Sequence, residues 1–348
     1  MADGVLAPFV LENVESGEKK SSGAYGAVYK VTVNGVTCID KRLHDILVNP
    51  EVPRRQRESM RKKFLAECVI LSKLRHPHIV HFVGVRCGPN PSDLSLVMEC
   101  LHTDLAKFLE DNQEKGVDIP LPIKLSILLD VSYGLLYLHM LTRPIIHRDL
   151  SANNILLAAD GLQAKIADLG VSKLLDLQTQ TKIAQTKVPG SQNYMPPEAL
   201  TENPKYGLKL DIFSFGHLML YTASQEFPFV HEVTLTPAIL QQGTIQIMKR
   251  RKAIDQMGER HCLHPLVIQC LQDEPEQRPT TLKLNESLKE HCTKHPRRMA
   301  EVLRFSGETE EVKCNFMFDL NPLSPQDIYR CHSDAVHLQD FSSQWQAP

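Results

Sequence analysis

Two polar clusters near the middle of the chain have the residue types and spacing that phosphoryl transfer demands. The run His147-Arg148-Asp149-Leu150-Ser151-Ala152-Asn153-Asn154 is followed, fourteen residues after its last Asn, by Asp168-Leu169-Gly170. Moving a phosphoryl group asks little covalent chemistry of a protein and a great deal of positioning. It needs a carboxylate facing the acceptor hydroxyl, an amide a few residues on for one Mg²⁺, and a second carboxylate that holds metal between the phosphates. Asp149, Asn154 and Asp168 supply these in order. A lone His-Arg-Asp triplet means little; the ordered set carries the reading.

Upstream, Ser21-Ser22-Gly23-Ala24-Tyr25-Gly26-Ala27-Val28 offers backbone N–H groups to a phosphate where side chains are absent. An isolated glycine loop is more often an ordinary turn, and Lys19-Lys20-Ser21 lacks the earlier glycine of a P-loop. Further motifs follow the same order: Cys38-Ile39-Asp40-Lys41, Met195-Pro196-Pro197-Glu198 and Asp273-Glu274-Pro275-Glu276-Gln277-Arg278-Pro279. With these in place the chain resembles a eukaryotic protein kinase from about Leu11 to about His291, and its style is most similar to the tyrosine-kinase-like group of Ser/Thr kinases.

The resemblance implies a set of roles. Lys41 grips the α- and β-phosphates of ATP, Glu67 is its ion-pair partner, and Asp149 is the general base. Asn154 and Asp168 hold Mg²⁺. Ser21, Gly23, Gly26, Val28, Ile39, Lys41, Met98, Glu99, Cys100 and Leu156 line the nucleotide. His147 is a core histidine, Asp211 braces the backbone around Asp149, and Arg278 pairs with Glu198. Leu169, His147, Leu71 and Phe82 form an apolar stack.

Several positions depart from the family pattern. Ser21 replaces the first glycine, Leu169 a Phe, Ile39 a small residue and Asp40 an apolar one, while Ser151 stands where Ser/Thr kinases carry Lys and tyrosine kinases carry Ala. Gly190-Ser191-Gln192-Asn193-Tyr194 favours a Ser/Thr acceptor. The expected activity is therefore transfer of the γ-phosphoryl of Mg-ATP to Ser or Thr of protein substrates in intracellular signalling. The alternatives are a tyrosine or dual-specificity kinase, resting on Ser151, and a pseudokinase scaffold, resting on Ser21, Ile39 and Asp40. Arg148 beside Asp149 implies control by a loop phosphate, set by an upstream kinase or by autophosphorylation. Thr186, then Thr181 and Thr179, are the candidates.

The elements that must position these residues fall into two groups. From Leu11 to Cys100 the pattern is strand-rich: Val28 to Val33 and Val36 to Ile39 flank Asn34-Gly35, the pair that best supplies the positive φ angles of a tight hairpin. Arg54 to Leu74 reads as a helix, and strands are expected near Ile79 to Arg86 and Leu94 to Glu99. Beyond Leu101 the period is helical, over Asp104–Asp111, Leu121–Leu141, Leu208–Ala223, Pro237–Arg250, His264–Gln272 and Thr280–His291. The expected fold is thus α+β, a two-lobed kinase fold with a small antiparallel β lobe carrying one helix and a larger, mostly helical lobe. Its parts are an N-terminal extension (1–10), a kinase domain (11–293, the lobes meeting near 100/101) and a C-terminal tail (294–348), read as partly disordered.

Bulk properties exclude other classes. A net charge of −2 over 348 residues gives no reason to expect nucleic acid. The start lacks the basic and apolar regions of a secretory signal, and nine cysteines without a CxxC pair suit a reducing cytoplasm better than disulfides or zinc. The apolar stretch from Ser126 to Leu141 is interrupted by polar residues and reads as a buried helix rather than a membrane span. Arg54 to Lys63, six basic residues to one acidic, reads as a solvated helix start, the sharper alternative being a docking site for an acidic group. Lys249-Arg250-Arg251-Lys252 reads as a solvated loop between helices.

Overall fold

Asn34 and Gly35 both adopt positive φ, 50° and 81°, and reverse the chain between strands β3 (Gly26–Val33) and β4 (Val36–Arg42). This is the two-residue turn whose twist matches that of the flanking strands. In the computed structural model, the described residues are 6–15, 17–23, 26–42, 53–87, 94–158, 163–169, 173–174, 194–199, 207–226 and 243–296. They divide into two compact units, one reaching to Leu101 and including residues 167–169, the other made of the rest.

The first unit is built on an antiparallel sheet of six strands. Along it run β1 (Val14–Glu15), β3, β4, β6 (Leu94–Glu99) and β5 (Phe82–Cys87), and β2 (Lys19–Gly23) also pairs with β3. Both β1 and β2 lie on the same edge of β3, so the chain between them must pass close to it. Gly17 makes that passage possible: a Cβ there would lie 1.5 Å from the Lys30 carbonyl oxygen. Helix α1 (Arg54–Leu71) buries Phe64, Glu67, Cys68 and Leu71, one stripe at helical spacing. Ser72, Lys73 and Leu74, expected inside this helix, instead close it with short turns, Lys73 donating to the Ile70 carbonyl and Leu74 to that of Leu71. The strand expected from Ile79 begins at Phe82 because the Ile79 N–H turns back to the His76 carbonyl. The basic run is the start of α1, with Arg54 and Arg55 exposed and Arg54 paired to Glu58 at 2.9 Å.

The second unit is mainly helical. It contains α2 (Leu105–Glu114), α3 (Leu121–Met140), α4 (Leu208–Ser224), α5 (Gly243–Met257), α6 (His264–Cys270) and α7 (Thr281–Lys294). Two small sheets accompany them: β7 (Thr103–Asp104), β9 (Ile155–Leu157) and β10 (Ala164–Ile166) form one, β8 (Ile145–Ile146) and β11 (Lys173–Leu174) the other. Helix α3 is long and apolar enough to cross a membrane by composition alone, but 78% of that window is buried within the protein. A helix apolar on all sides belongs in a core. Helix α4 is of the same kind and ends at Gln225, whose left-handed backbone (φ 57°) stops it. The Gln225 amide then bonds Ile119 N–H at 2.8 Å and the Val117 carbonyl at 2.9 Å.

The basic quartet at 249–252 is a correction: it lies inside α5, not in a loop. Arg250 sets its guanidinium 5.3 Å from the Phe213 ring and pairs with Asp273 at 3.0 Å, so the helical residue serves packing. Thr179, Thr181, Thr186, residues 190–193, Gly170, residues 237–242 and the tail beyond residue 296 lie outside the described residues.

Candidate functional site

Strand alternation sorts the first unit's residues onto two faces. In the ladder Lys41 stands opposite both Val28 and Leu96, and Ile39 opposite Met98, which puts Val28, Ile39, Lys41 and Met98 on one face of the sheet. The Lys41 ammonium lies 3.0 Å from Glu67 Oε1 on α1 and 3.0 Å from Asp168 Oδ1. Glu67 occupies the apolar stripe of α1 between Phe64 and Leu71, which is why it is 3% exposed, whereas Asp168 keeps 36% of its side chain open. Burial works against the Lys41 charge, but the two carboxylates outweigh it and hold the ammonium well above its usual pKa. Burial pushes the Glu67 carboxyl up and Asp168 adds to this, with Lys41 pulling the other way. Asp168 has φ 57°, a left-handed angle unusual for a side-chain-bearing residue at which strain marks a functional position.

Asp40 lies on the opposite face. Its side chain is 0% exposed and accepts from Arg42 Nε at 2.7 Å and Arg86 Nη1 at 2.8 Å, while the Arg42 guanidinium covers the Tyr29 ring at 3.9 Å. This departure from the family pattern is therefore compensated away from Lys41. Arg42 lies two residues along the same strand face and Arg86 two strands away; the sequence reading named neither as a partner.

Of the other nucleotide-lining expectations, Ser21, Gly23 and Gly26 sit where β2 meets β3, with Ser21 opposite Val28 and Gly23 opposite Gly26. Glu99 stands opposite Cys38 and accepts His81 N–H at 2.6 Å, and the Cys100 thiol approaches the Leu101 carbonyl at 3.7 Å. Leu156 belongs to the second unit, in β9. Leu71, Phe82, Leu169 and His147 are all buried.

In the second unit the 147–154 segment brings Asp149 and Asn154 together directly. The Asn154 amide donates to the Asp149 carbonyl at 2.7 Å and to Asp149 Oδ2 at 3.0 Å. That commits its NH₂ and turns its carbonyl oxygen into the group left to meet a cation. Arg148 is held at φ 70°. Asp211, 0% exposed, explains how such a backbone is held: its Oδ2 accepts from His147 N–H at 2.8 Å and its Oδ1 from Arg148 N–H at 2.9 Å. His139 Nε2 meets Oδ2 at 2.8 Å, a contact the sequence gave no sign of. Glu198 and Arg278 pair side by side, Nη2 to Oε2 at 2.8 Å, with Arg278 also 4.8 Å from the Phe213 ring. Ser151 is buried, and its hydroxyl bonds to nothing among the described residues.

No group of three or more His, Cys, Asp or Glu among the described residues is arranged to hold a metal unaided. The carboxylate of Asp168 and the amide oxygen of Asn154, one in each unit, are each hard oxygen donors of the kind Mg²⁺ takes alongside phosphates.

The protein kinase domain family profile matches residues 15–294. Among curated proteins, the chain is similar to mouse serine/threonine-protein kinase TNNI3K, 36% identical over 223 residues, covering 64% of this chain and 25% of the relative. It is also similar to two Arabidopsis thaliana serine/threonine-protein kinases. STY46 is 31% identical over 237 residues (68% of this chain, 37% of the relative), and VIK is 31% identical over 272 (76% and 57%). The chain thus spans about a quarter of the length of the mouse relative.

Proposed function

Because the chain belongs to the protein kinase domain family, we propose that it transfers the γ-phosphoryl of Mg-ATP to Ser or Thr hydroxyls of protein substrates in intracellular signalling. The observation that carries this reading is the Lys41 ammonium between Glu67 and Asp168, at 3.0 Å from each. A cation on a sheet face, oriented by a buried carboxylate, is what positioning the α- and β-phosphates requires. Glu67 fixes where Lys41 points; Lys41 holds the nucleotide. Asp149 receives the proton of the acceptor hydroxyl, and its bond to the Asn154 amide keeps the carboxylate in one orientation. Asn154 and Asp168 would hold Mg²⁺, which neutralises phosphate charge when bound.

The Ser/Thr preference is supported by the serine/threonine kinases to which the chain is similar. Control by phosphate at Thr186, Thr181 or Thr179, set by an upstream kinase or by autophosphorylation, and a cytoplasmic location belong to the same reading. The test is purified protein incubated with labelled ATP and Mg²⁺ and a protein substrate, followed by identification of the labelled residue types. Label on Ser and Thr is expected. Label on Tyr overturns the acceptor assignment, and no transfer at all, by protein that binds ATP, overturns the enzyme reading.

A further inference from the structure

Helix α7 lies against α3 with two buried polar rungs on one face. Thr281 Oγ1 meets His139 Nδ1 at 2.6 Å, and one turn along, Asn285 Nδ2 donates to Ser132 Oγ at 2.8 Å. The second rung ends locally, because Ser132 passes its own proton to the Leu129 carbonyl. The first continues: His139 Nε2 reaches Asp211 Oδ2 at 2.8 Å, and Asp211 takes the N–H groups of His147 and Arg148. Thr281, His139 and Asp211 are all buried.

The proton assignment follows from the partners. A carboxylate that already accepts two backbone N–H groups can only accept from the ring, so Nε2 carries the proton. The other ring nitrogen, Nδ1, bonds the Thr281 hydroxyl. Which ring nitrogen holds the proton is set by the bond the other one makes. Without the hydroxyl, Nδ1 is buried without a partner, and the ring loses the bond that fixes its tilt. A ring free to tilt no longer holds Nε2 on Asp211, which loosens the carboxylate that keeps Arg148 at φ 70° beside Asp149.

We propose that Thr281, on the last described helix, is a positioning residue for the Asp149 segment, acting through the orientation of the His139 ring and the grip of Asp211. The proposal rests on the kinase reading above. The orderly pair of rungs supplies its own control, since Asn285 ties the same two helices without touching Asp211.

The test compares Thr281→Val, Thr281→Ser and Asn285→Leu in the full chain. Thr281→Val should lower kcat about tenfold with KM for Mg-ATP unchanged, the effect of one lost buried hydrogen bond. Thr281→Ser should restore it, and Asn285→Leu should lower Tm while leaving kcat of the folded protein alone. Independently of activity, amide hydrogen exchange at His147 and Arg148 should speed up in Thr281→Val and not in Asn285→Leu. Unchanged exchange at those two amides in Thr281→Val overturns the proposal, as does an equal loss in Asn285→Leu. If the wild type transfers no phosphate, the kinase reading fails, and the exchange comparison still decides the relay.

Discussion

At Lys41 one ammonium is shared between two carboxylates, one of them 36% exposed; at Asp211 one carboxylate is surrounded by donors, and neither it nor His139 is more than 2% exposed. The first centre joins three separate segments by side chains alone. The second closes two backbone N–H groups and an imidazole onto a single residue. Side-chain ions near solvent can exchange partners when an anionic ligand arrives, because water and ligand can replace what is lost. A fully buried carboxylate cannot, since every lost donor becomes an unpaired group in low dielectric. The contrast teaches a division of labour: the sheet unit holds the groups proposed to meet a nucleotide, and the helical unit holds a backbone in place beside Asp149.

The largest effect that would break this contrast is at the carboxylate proposed to react. Asp149→Asn should lower kcat by about a hundredfold or more, with Tm and nucleotide affinity nearly unchanged, since the lost interaction belongs to the transition state. Turnover at the wild-type rate would remove Asp149 from its role. Asp211→Asn should cost stability as well as turnover. An Asn NH₂ in place of a carboxylate oxygen faces a donor, so unfolding free energy should fall by about 3 kcal/mol, measured in urea. A variant as stable as wild type would show that Asp211 is not the hub its bonds suggest.

A third measurement sharpens the account of the helical unit. His217, edge-on to the Phe213 ring with centroids 4.9 Å apart, is held neutral by burial, its pKa pushed down from about 6.5 to about 3. With the folded value depressed, the stability it contributes is present above about pH 6.5 and is lost as pH falls toward about 3. Between pH 7 and 5 this site should cost about 2 kcal/mol of stability, and His217→Gln should remove that part of the slope. An unaltered slope would place the acid sensitivity elsewhere. The smallest effect is expected at Ile39, half-buried on the Lys41 face where the resemblance implies a small residue roofing the adenine. If three extra carbons crowd that slot, Ile39→Ala should tighten Mg-ATP binding by about fivefold in a direct titration. Equal or weaker affinity would show that the Ile fits, leaving Asp40 and Ser21 as the remaining sequence grounds for a scaffold. The Asp40 ground is already weakened, because both its Arg partners lie on the face away from Lys41.

What the sequence by itself determined is what local rules govern. Asn34-Gly35 dictated a hairpin because few other residues accept two positive φ angles in succession. The helical spacing of Phe64, Val69 or Cys68, and Leu71 marked an apolar face of α1, and packing then chose Cys68 over Val69 and buried Glu67 beside it. Asn154 lies five residues from Asp149, close enough for a single turn of backbone to join them. The tertiary structure decided whatever depends on neighbours distant in the chain. Nothing near Asp40 announces Arg86, nothing near His139 announces Thr281, 142 residues on, and the basic quartet in α5 looked like loop until Phe213 and Asp273 gave Arg250 a place. A buried polar group must be satisfied, but composition and periodicity do not say by whom. That choice is made only when packing fixes which helix faces which.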